Sequence, residues 1–472
     1  MDKYEQFRRH IADAADAFRS VGKSETVRIV SHLDSDGICA CSTFIGALNH
    51  DNRKYSISIV HQLDARVLQE LSSESYGCFV FTDLGSGQLK NIVKFLPKKK
   101  IFVLDHHEPE QAKADNVVHV NPHLFGIDGS KEISGAGVTF LFVSALSSSN
   151  KDMAHLAIIG ALGDLQEDKG FQRLNNEILS TAIELGLLEV SNGLRVFGSQ
   201  TRPVHKILEY STDPFIPGIS GSESAAIQFL CSLGINPKNG KDWKKLVHLT
   251  EDEKKRLATA IILKRLGEHN PEDIFGYTYL LTHEEDESPL KDAKEFSTLL
   301  NACGRMNKAS LGIGACIGNE QAKQKAVHQL ALYRKEIISA LKWYQENKST
   351  KLIYAEKGFV IINAQDFIPF TFVGTLASIL ARSKEFEEKT YILSMAYSLD
   401  NTIKASLRIA GNRNYEDVDL RSILMEITRY VGGEAGGHTE AAGAIIPFEK
   451  EEEFIDSAKE MLRKLSMEER VL

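Results

Sequence analysis

The chain has 472 residues, which is too long for one ordinary hydrophobic core and predicts two or three domains. Its formal net charge of −8 gives no sign of a polyanion partner, although a local basic cleft could still bind one. The six cysteines lack CxxC spacing, which argues against a disulfide framework or a zinc finger. We expect neither a signal peptide nor a membrane span, and therefore a cytoplasmic protein without membrane contact.

The N-terminal part alternates short β-rich runs with helical segments, a rhythm typical of a parallel sheet covered by helices. Residues 1–21 carry apolar positions at helical spacing and predict a helix ahead of the first strand. An α/β fold is therefore expected here, with strands at 27–30, 55–60, 78–81, 101–104 and 117–120.

Acidic and imidazole side chains directly follow three of these apolar strands, at positions where an ordinary turn would not require them. The first strand leads into His32-Leu-Asp-Ser-Asp-Gly37 ahead of a predicted helix over 38–48, and the apolar helix over 156–162 ends near Asp164. Because the carboxyl ends of parallel strands share one edge of a sheet, residues distant in sequence can meet there. The candidate metal ligands are His32, Asp34, Asp36, Asp83, His106 and Asp164.

Local patterns add two interpretations. In an extended segment alternate side chains share one face, which predicts that His32, Asp34 and Asp36 point into one crevice. Asp83 has an alternative role of about equal weight, as the cap of a helix over 86–96.

The chemistry of this set favours bound cations. Closely spaced carboxylates repel one another unless cations lie between them. A mixed carboxylate and imidazole set suits Mn²⁺, with Mg²⁺ or another divalent ion as the alternative, and the lack of thiolates argues against structural zinc. Four aspartates are enough to hold two ions with one bridging carboxylate, an arrangement used on phosphate esters.

The composition changes in the middle of the chain. Residues 168–230 are predicted to be mostly helical, and 236–289 is rich in lysine and glutamate, with helices expected at 238–245 and 251–266. Such a charged run is usually a solvated helix face, and a docking surface for a transient partner is the alternative.

A glycine and an arginine, Gly304 and Arg305, precede a long predicted helix over 320–347. We expect this pair to break the helix before it, which would free Arg305 to bind a phosphate through two hydrogen bonds. A surface turn that carries an arginine is the alternative.

The last block, 351–464, reads as a small α/β domain with a glycine-rich stretch near its end. Glycines between 432 and 443 would let backbone N–H groups approach an anion, and His438 adds a donor. A flexible tight turn is the alternative. Strands are predicted at 352–355, 358–362, 391–395 and 402–408, with a helix at 372–382.

Over residues 27–168, the successive motifs HLDSDG, FTDLG, LDHHEPE with VNPH, ISGAGVTFLF and IGALGDLQ resemble those of the DHH phosphoesterase superfamily. The resemblance implies one ion on His32, Asp34 and Asp83 and a second on Asp36, Asp83, His106 and Asp164. It further implies that Asp105 orients His106 and that His107 faces the scissile phosphate, so that the predicted catalytic residues are Asp36, Asp105 and His107. For Ser134, Gly135 and Gly137 we favour close helix packing over substrate contact.

The segment 299–326 resembles the Asn-Ala-Ala-Gly-Arg segment of the RecJ branch, with Cys303 in place of the second alanine. The helix over 320–347 is similar to the RecJ connector, and 351–464 is similar to the DHH-associated domain with its Gly-Gly-His and Ser-x-Arg motifs. By resemblance, Arg305, Ser406 and Arg408 would anchor a terminal phosphate, and His438, beside Gly436 and Gly437, would contact the phosphate being cut. Because one amphipathic helix ends the chain, the likeness is to the shorter archaeal type, a GINS-associated nuclease.

The predicted fold is therefore a parallel-sheet DHH domain and a smaller α/β DHH-associated domain, joined by a long helix and carrying a mostly helical insertion. The predicted segments are a DHH catalytic domain at 1–235, the insertion at 236–290, a return to the DHH domain with the connector helix at 291–350, and the substrate-binding domain at 351–472.

The predicted activity is a two-metal exonuclease on single-stranded DNA, 5′→3′ by resemblance, with RNA left open, in replication or repair. Two divalent ions, Mn²⁺ first and Mg²⁺ second, are the expected cofactors. GINS is the expected partner, through the insertion at 236–290. The alternatives are an oligoribonuclease, nucleotide phosphatase or pyrophosphatase of the same superfamily, and a replisome scaffold bound to GINS.

Overall fold

The computed structural model describes residues 2–112, 114–167, 170–211, 214–268, 270–383, 385–411, 415 and 418–468. The chain divides into two compact units, Met1–Leu330 and Ala331–Leu472. This division falls inside the long helix that the sequence predicts over 320–347, so the helix contributes residues to both units.

The first unit is built on a five-stranded sheet that confirms the predicted α/β fold. Its first elements are α1 (Lys3–Arg19), β1 (Val27–His32), α2 (Ser35–His50), β2 (Tyr55–Val60), α3 (Ala65–Ser73), β3 (Cys78–Thr82), α4 (Leu89–Phe95), β4 (Lys100–Leu104) and β5 (Val117–Val120). The strand order is β2-β1-β3-β4-β5 and every neighbouring pair is parallel. The carboxyl ends of β1, β3 and β4 therefore lie side by side at one edge.

Helices cover both faces of this sheet. On one face α2 packs against two further helices, α5 (Gly135–Leu146) and α6 (Ala154–Gly163), and these helices are buried almost all round, as expected of core helices. On the other face, leucine and isoleucine side chains of α3 and α4 pack against Phe79 and Phe81 of β3. The sequence ISGAGVTFLF thus forms a core helix that begins beside the strand ends.

The rest of the first unit surrounds this core with helices and two small antiparallel sheets. Its elements are α7 (Arg173–Glu184), β6 (Leu188–Leu194), α8 (Val204–Glu209), α9 (Glu223–Ser232), β7 (Lys238–Asn239), β8 (Asp242–Trp243), α10 (Glu251–Lys264), β9 (Phe275–Leu281), α11 (Ala293–Arg305) and α12 (Ala309–Cys316), followed by the long helix α13 (Glu320–Asn347). β6 pairs with β9 across more than eighty residues of sequence, and the sequence analysis missed both strands.

The predicted helix over 238–245 is wrong. These residues form the two-residue strands β7 and β8, which turn at Gly240 with a φ of +63°. A buried apolar cluster of described residues between Val204 and Ile274 includes three side chains of α10, Leu257, Ala258 and Ile261. The predicted boundary between 235 and 236 runs through that cluster.

The second unit contains a six-stranded sheet. After the second part of α13 it comprises β10 (Ile353–Glu356), β11 (Phe359–Asn363), α14 (Val373–Arg382), β12 (Tyr391–Tyr397), β13 (Thr402–Ile409), α15 (Leu420–Arg429), β14 (Glu434–His438), β15 (Ala441–Pro447) and α16 (Glu451–Glu468). The strand order is β10-β11-β12-β13-β15-β14. One face packs against α15 and α16 in a closed apolar core. The four predicted strands and the helix at 372–382 are confirmed, and the glycine-rich stretch forms the paired strands β14 and β15 rather than a flexible turn.

Among the described residues, no helix combines the length and the apolar character needed to cross a bilayer.

Candidate metal centre

The turn between β1 and α2 places the first three candidate ligands. β1 ends at His32, Asp34 caps the amino end of α2 and accepts a hydrogen bond from the Gly37 N–H at 3.0 Å, and Asp36 lies in the first helical turn. The prediction that these side chains alternate along one extended segment is therefore wrong, because the acids are positioned by the start of a helix. A Cβ on Gly37 would lie 2.4 Å from the His32 carbonyl oxygen, so only glycine permits so tight a turn.

Asp83 follows β3 and lies at the centre of the candidate site. It is 1% exposed, and its φ of +58° places it in the left-handed region, an arrangement that tends to occur at functional sites. Neither of its carboxylate oxygens accepts a hydrogen bond from the described residues. The alternative role as a helix cap is wrong: Gly85 occupies the cap position of the short 3₁₀ turn Ser86–Gln88, and it is Asp105 that accepts the Ser86 N–H, at 2.8 Å.

The two histidines that follow β4 are held by different partners. The Nδ1 atom of His106 lies 2.7 Å from the Gly129 carbonyl oxygen, which turns its Nε2 atom toward the carboxylates. The Nδ1 atom of His107 lies 2.7 Å from Asp105 Oδ1. Asp105 accepts the backbone N–H of His106 at 2.8 Å, whereas its contact with a histidine ring is to His107.

The six candidate ligands converge on this edge of the sheet. Asp164 caps the carboxyl end of α6, and its Oδ2 lies 3.2 Å from His106 Nε2, which also lies 3.3 Å from Asp83 Oδ1 and 3.8 Å from Asp36 Oδ2. Potential ligand atoms fall within 4.8 Å of one another in three groups: His32, Asp34 and Asp83; Asp36, His106 and Asp164; and Asp83, Asp105, His106 and His107.

The two carboxylate oxygens of Asp83 face different groups. Oδ2 lies 3.7 Å from His32 Nδ1, which is itself 2.8 Å from Asp34 Oδ2, whereas Oδ1 lies on the side of His106. This geometry suits the bridging role that the sequence analysis assigns to Asp83. A buried carboxylate without hydrogen-bond donors is costly, and a divalent cation would satisfy it.

Glycines and backbone N–H groups shape the site around Asp36. The first turn of α5 donates two hydrogen bonds to it, from Gly135 N to Oδ2 at 2.6 Å and from Ala136 N to Oδ1 at 3.1 Å. A Cβ on Gly160 would lie 2.2 Å from Asp36 Oδ1, and one on Gly135 would lie 2.5 Å from Asp83 Oδ1. Helix packing accounts for Gly137, which lies against Ile133, but Gly135 serves the acidic cluster directly, a role that the sequence analysis missed.

Helix α11 supports the turn that carries His32 and Asp34. The side-chain oxygen of Asn301 accepts a hydrogen bond from Ser35 N at 3.0 Å, and a Cβ on Gly304 would lie 1.7 Å from the Leu33 carbonyl oxygen. Helix α11 includes Gly304 and ends at Arg305, so the predicted break falls at the last residue of the pair. The Asn-Ala-Cys-Gly segment thus packs α11 against the metal turn.

Burial and mutual charge perturb the acids strongly. Burial, with repulsion from Asp83 and Asp164, raises the pKa of Asp36 well above its usual value, and burial raises the pKa of Asp164 to about 7. Burial opposes ionisation of Asp34 as well, but His32 outweighs it and lowers the pKa of Asp34. The raised pKa values of Asp36 and Asp164 favour protonation of the cation-free cluster, as expected of a site that exchanges protons for metal.

The residues expected to bind a terminal phosphate lie in both units. Ser406, Arg408, Gly436 and Gly437 belong to the sheet of the second unit, whereas Arg305 belongs to the first. Gly437 has a φ of +121°. The backbone of His438 ends β14, and its side chain lies outside the described residues, so its contact with a phosphate stays a prediction.

Family models match three successive parts of the chain: the DHH family N-terminal domain over residues 26–161, the DHH-CID domain over 196–274 and the DHHA1 domain over 366–464. An uncharacterized protein of Methanocaldococcus jannaschii is 30% identical over 445 residues, which cover 92% of this chain and 93% of that protein. The chain belongs to the DHH family. It is a member of a phosphoesterase superfamily and carries an acidic cluster suited to divalent metal ions.

Solved structures share the fold of this DHH-family protein. The RecJ structure from Thermus thermophilus in complex with Mn²⁺ aligns with a TM-score of 0.57 and 14% identity, over 96% of this chain and 55% of RecJ. The chain thus spans about half the length of that protein. CDC45 from Entamoeba histolytica aligns with a TM-score of 0.63 and 11% identity, over 98% of each chain. The predicted RecJ-like architecture is therefore confirmed at the level of fold.

Proposed function

We propose that this DHH-family protein is a two-metal exonuclease that removes nucleotides from an end of single-stranded DNA, and of RNA as a second substrate, in the cytoplasm during replication or repair. The observation that carries the proposal is Asp83, a buried carboxylate whose two unsatisfied oxygens face two separate groups of ligand atoms. Two-ion sites with a shared carboxylate are characteristic of phosphodiester hydrolysis.

The residues present fit two divalent ions. His32, Asp34 and Asp83 would hold one, and Asp36, Asp83, His106 and Asp164 would hold the other, with Mn²⁺ proposed first because imidazole and carboxylate ligands occur together. When bound, the ions would polarise the phosphate and lower the pKa of water. With a metal ion bound, the Gly129 carbonyl would accept a hydrogen bond from the Nδ1–H of His106 and leave the Nε2 lone pair for the ion.

His107 is the residue best placed to act on the substrate. Its side chain is about one-third exposed while its Nδ1 atom is held by Asp105, so that its Nε2 atom can turn to a bound phosphate. Burial opposes the charged imidazole, but Asp105 raises the pKa of His107 above its usual value. The charged ring would stabilise the negative charge that develops on the phosphate oxygens, while the Asp105 carboxylate keeps it oriented.

A labelled-strand assay tests this proposal. Strands of DNA and RNA labelled at the 5′ or the 3′ end would be incubated with Mn²⁺ or Mg²⁺, and the expected result is stepwise shortening from one end. A dinucleotide and inorganic pyrophosphate serve as comparison substrates. Turnover of these small substrates with intact long strands would favour the short-substrate branch of the superfamily and overturn the exonuclease assignment.

We also propose that the insertion at 236–290, part of which the DHH-CID model matches, docks a replication partner, with GINS as the first candidate. Leu263, in the last turn of α10, and Leu266, which follows that helix, are 61% and 65% exposed, and Phe275 at the start of β9 is 43% exposed. Contiguous exposed apolar patches are typical of interaction surfaces, and we propose that these three side chains contribute to one. Co-purification of GINS with the wild-type chain, and its loss in the double variant Leu263→Glu and Leu266→Glu, would support this partner.

A further inference from the structure

The carbonyl oxygen of Gly129 is the partner that orients the ring of His106. It lies 2.7 Å from His106 Nδ1, and because a carbonyl can only accept, that ring nitrogen carries a hydrogen. Gly129 also lies against the backbone of His106, since a Cβ at position 129 would be 2.1 Å from the His106 carbonyl oxygen. The geometry of one candidate metal ligand therefore depends on where the turn at residues 128–132 places a single carbonyl group.

A second donor binds the same carbonyl oxygen. Gln166 is 5% exposed, and its Nε2 atom donates to the Gly129 oxygen at 2.9 Å and to the Ile133 oxygen at 3.4 Å. A carbonyl oxygen has two lone pairs, so Gly129 can accept from His106 and from Gln166 at the same time. The direction of this C=O bond is therefore fixed by two side chains rather than by one.

The orientation of the Gln166 amide is set in turn by Asn175, in the first turn of α7. Asn175 is fully buried, and its Nδ2 atom donates to Gln166 Oε1 at 2.7 Å. Because this bond engages the oxygen of the Gln166 amide, the NH₂ group is the end that faces Gly129. The backbone N–H of Asn175 donates to the Glu132 carbonyl oxygen at 2.9 Å, so the same residue also anchors the end of the turn.

This pair of buried amides is not what packing alone would favour. Asn175 Oδ1 is buried and accepts no hydrogen bond from the described residues. It faces Gly137 of α5, where an added Cβ would lie 3.5 Å away. An unsatisfied buried oxygen lowers stability, and an apolar residue of similar size, such as leucine, would avoid that loss. The two amides therefore serve the Gly129 carbonyl better than they serve the core.

We propose that Gln166, held by Asn175, is a positioning residue for metal binding, because it fixes the Gly129 carbonyl and thereby the ring of His106. This inference rests on the two-ion site of the proposed function and extends it to two residues outside the ligand set. His106 Nε2 lies 3.2 Å from Asp164 Oδ2, within the group of atoms that would share one ion. A rotation of the ring would take Nε2 out of that group.

Calorimetric titration of the full chain with Mn²⁺ tests this inference without cutting a strand. Gln166→Met keeps the length of the side chain and removes the donor. We expect it to weaken the binding of one Mn²⁺ ion about three- to tenfold, less than the loss typical of a group that contacts a ligand directly. Gln200→Met is the matched control, since Gln200 is 4% exposed, accepts from the Glu287 N–H and lies outside the candidate ligand set. Its Mn²⁺ affinity should equal that of the wild type.

Two further measurements separate positioning from a merely structural role. If Asn175 acts through Gln166, the double variant Gln166→Met and Asn175→Leu should bind Mn²⁺ no more weakly than Gln166→Met alone, whereas independent structural losses would add. With a single-stranded oligonucleotide as substrate, Gln166→Met should need about three- to tenfold more Mn²⁺ for half-maximal cutting, while kcat at saturating Mn²⁺ stays near the wild-type value. A misfolded fraction would lower kcat instead.

The outcomes separate the inference from the proposed function. Weaker Mn²⁺ binding in Gln166→Met, with no such loss in Gln200→Met and no further loss in the double variant, supports the inference. Unchanged binding in Gln166→Met, additive losses, or an equal loss in Gln200→Met would overturn it. Should Gln166→Met fail to fold, the same comparison is made with Asn175→Leu. A chain whose Mn²⁺ affinity depends on Gln166 but which cuts no strand would keep the positioning role and contradict the exonuclease assignment alone, and a wild-type chain that binds no Mn²⁺ would overturn both.

Discussion

The two units of this chain gather opposite charges by different structural means. The first unit brings buried carboxylates to the carboxyl edge of a parallel sheet, where helix starts and tight turns place Asp34, Asp36 and Asp83. The second unit places Lys404 and Arg408 on the flat face of a mixed sheet, beside glycines. The first arrangement would be stabilised by cations and the second by an anion. From this comparison we propose a division of roles in which the first unit holds metal ions and the second holds the phosphate of the substrate.

Of the variants proposed here, we expect Asp83→Asn to lose the most strand-cutting activity. Asp83→Asn removes the shared charge while it keeps the shape, and we expect the strand-cutting rate to fall by about a thousandfold or more, because both ions lose a ligand. The same variant should retain its preference for a phosphorylated end, which we assign to the second unit. Asp13→Asn, at an exposed position of α1, is the matched control and should cut at the wild-type rate. Full activity in Asp83→Asn would rule out the two-ion assignment.

A smaller effect, on Mn²⁺ affinity, is expected when a methyl group is added beside Asp36. In Gly160→Ala the new Cβ would lie 2.2 Å from Asp36 Oδ1, so the carboxylate must move although alanine itself favours a helix. We expect Mn²⁺ affinity to weaken about 10- to 100-fold, measured by calorimetry. Gly193→Ala, where nothing lies within 4 Å of the new methyl group, is the control. Equal Mn²⁺ affinity in Gly160→Ala and in the wild type would show that Asp36 does not bind metal.

Asp105→Asn tests whether His107 acts in catalysis while His106 acts in metal binding. Because Asp105 orients His107 and the Gly129 carbonyl orients His106, this variant should lower kcat about 10- to 100-fold while Mn²⁺ affinity stays near the wild-type value. Steady-state kinetics at saturating Mn²⁺, with calorimetry on the same samples, separates the two quantities. A large loss of metal affinity with an unchanged kcat at saturating Mn²⁺ would instead show that Asp105 supports a metal ligand.

The smallest effect is expected in the second unit. Ser406→Ala removes one neutral hydrogen-bond donor, so KM for a strand with a phosphorylated end should rise about three- to tenfold, and Mn²⁺ affinity should not change. Ser457→Ala, on helix α16 behind the opposite face of the sheet, is the control. If Ser406→Ala weakened metal binding and left KM untouched, the division of labour between the units would be wrong.

The sequence predicted the site residues correctly where polar side chains directly follow an apolar strand. Strands β1, β3 and β4 are buried almost throughout and consist mainly of apolar residues, and the polar residues that follow them are the ones that converge at the sheet edge. The order of the motifs therefore predicted which side chains meet. It did not predict how they meet, because Asp34 and Asp36 take their positions from the start of α2 rather than from an extended strand.

The contacts that the sequence could not reveal are those between distant segments. Asn301 supports Ser35 across 266 residues, and Gly135 donates to Asp36 across 99 residues. The partner of His106 is a backbone carbonyl, which carries no side-chain signal at all. The charge of the segment 238–245 suggested a helix, but Gly240 and the pairing of β7 with β8 make it a hairpin.

Counting bound ions tests the central claim most directly. Calorimetric titration of the metal-free chain with Mn²⁺ should give two ions per chain in the wild type and fewer than two in Asp83→Asn. Two ions in both proteins, or no binding in the wild type at Mn²⁺ concentrations that support cutting, would contradict the claim that Asp83 joins two metal ions at the edge of the parallel sheet.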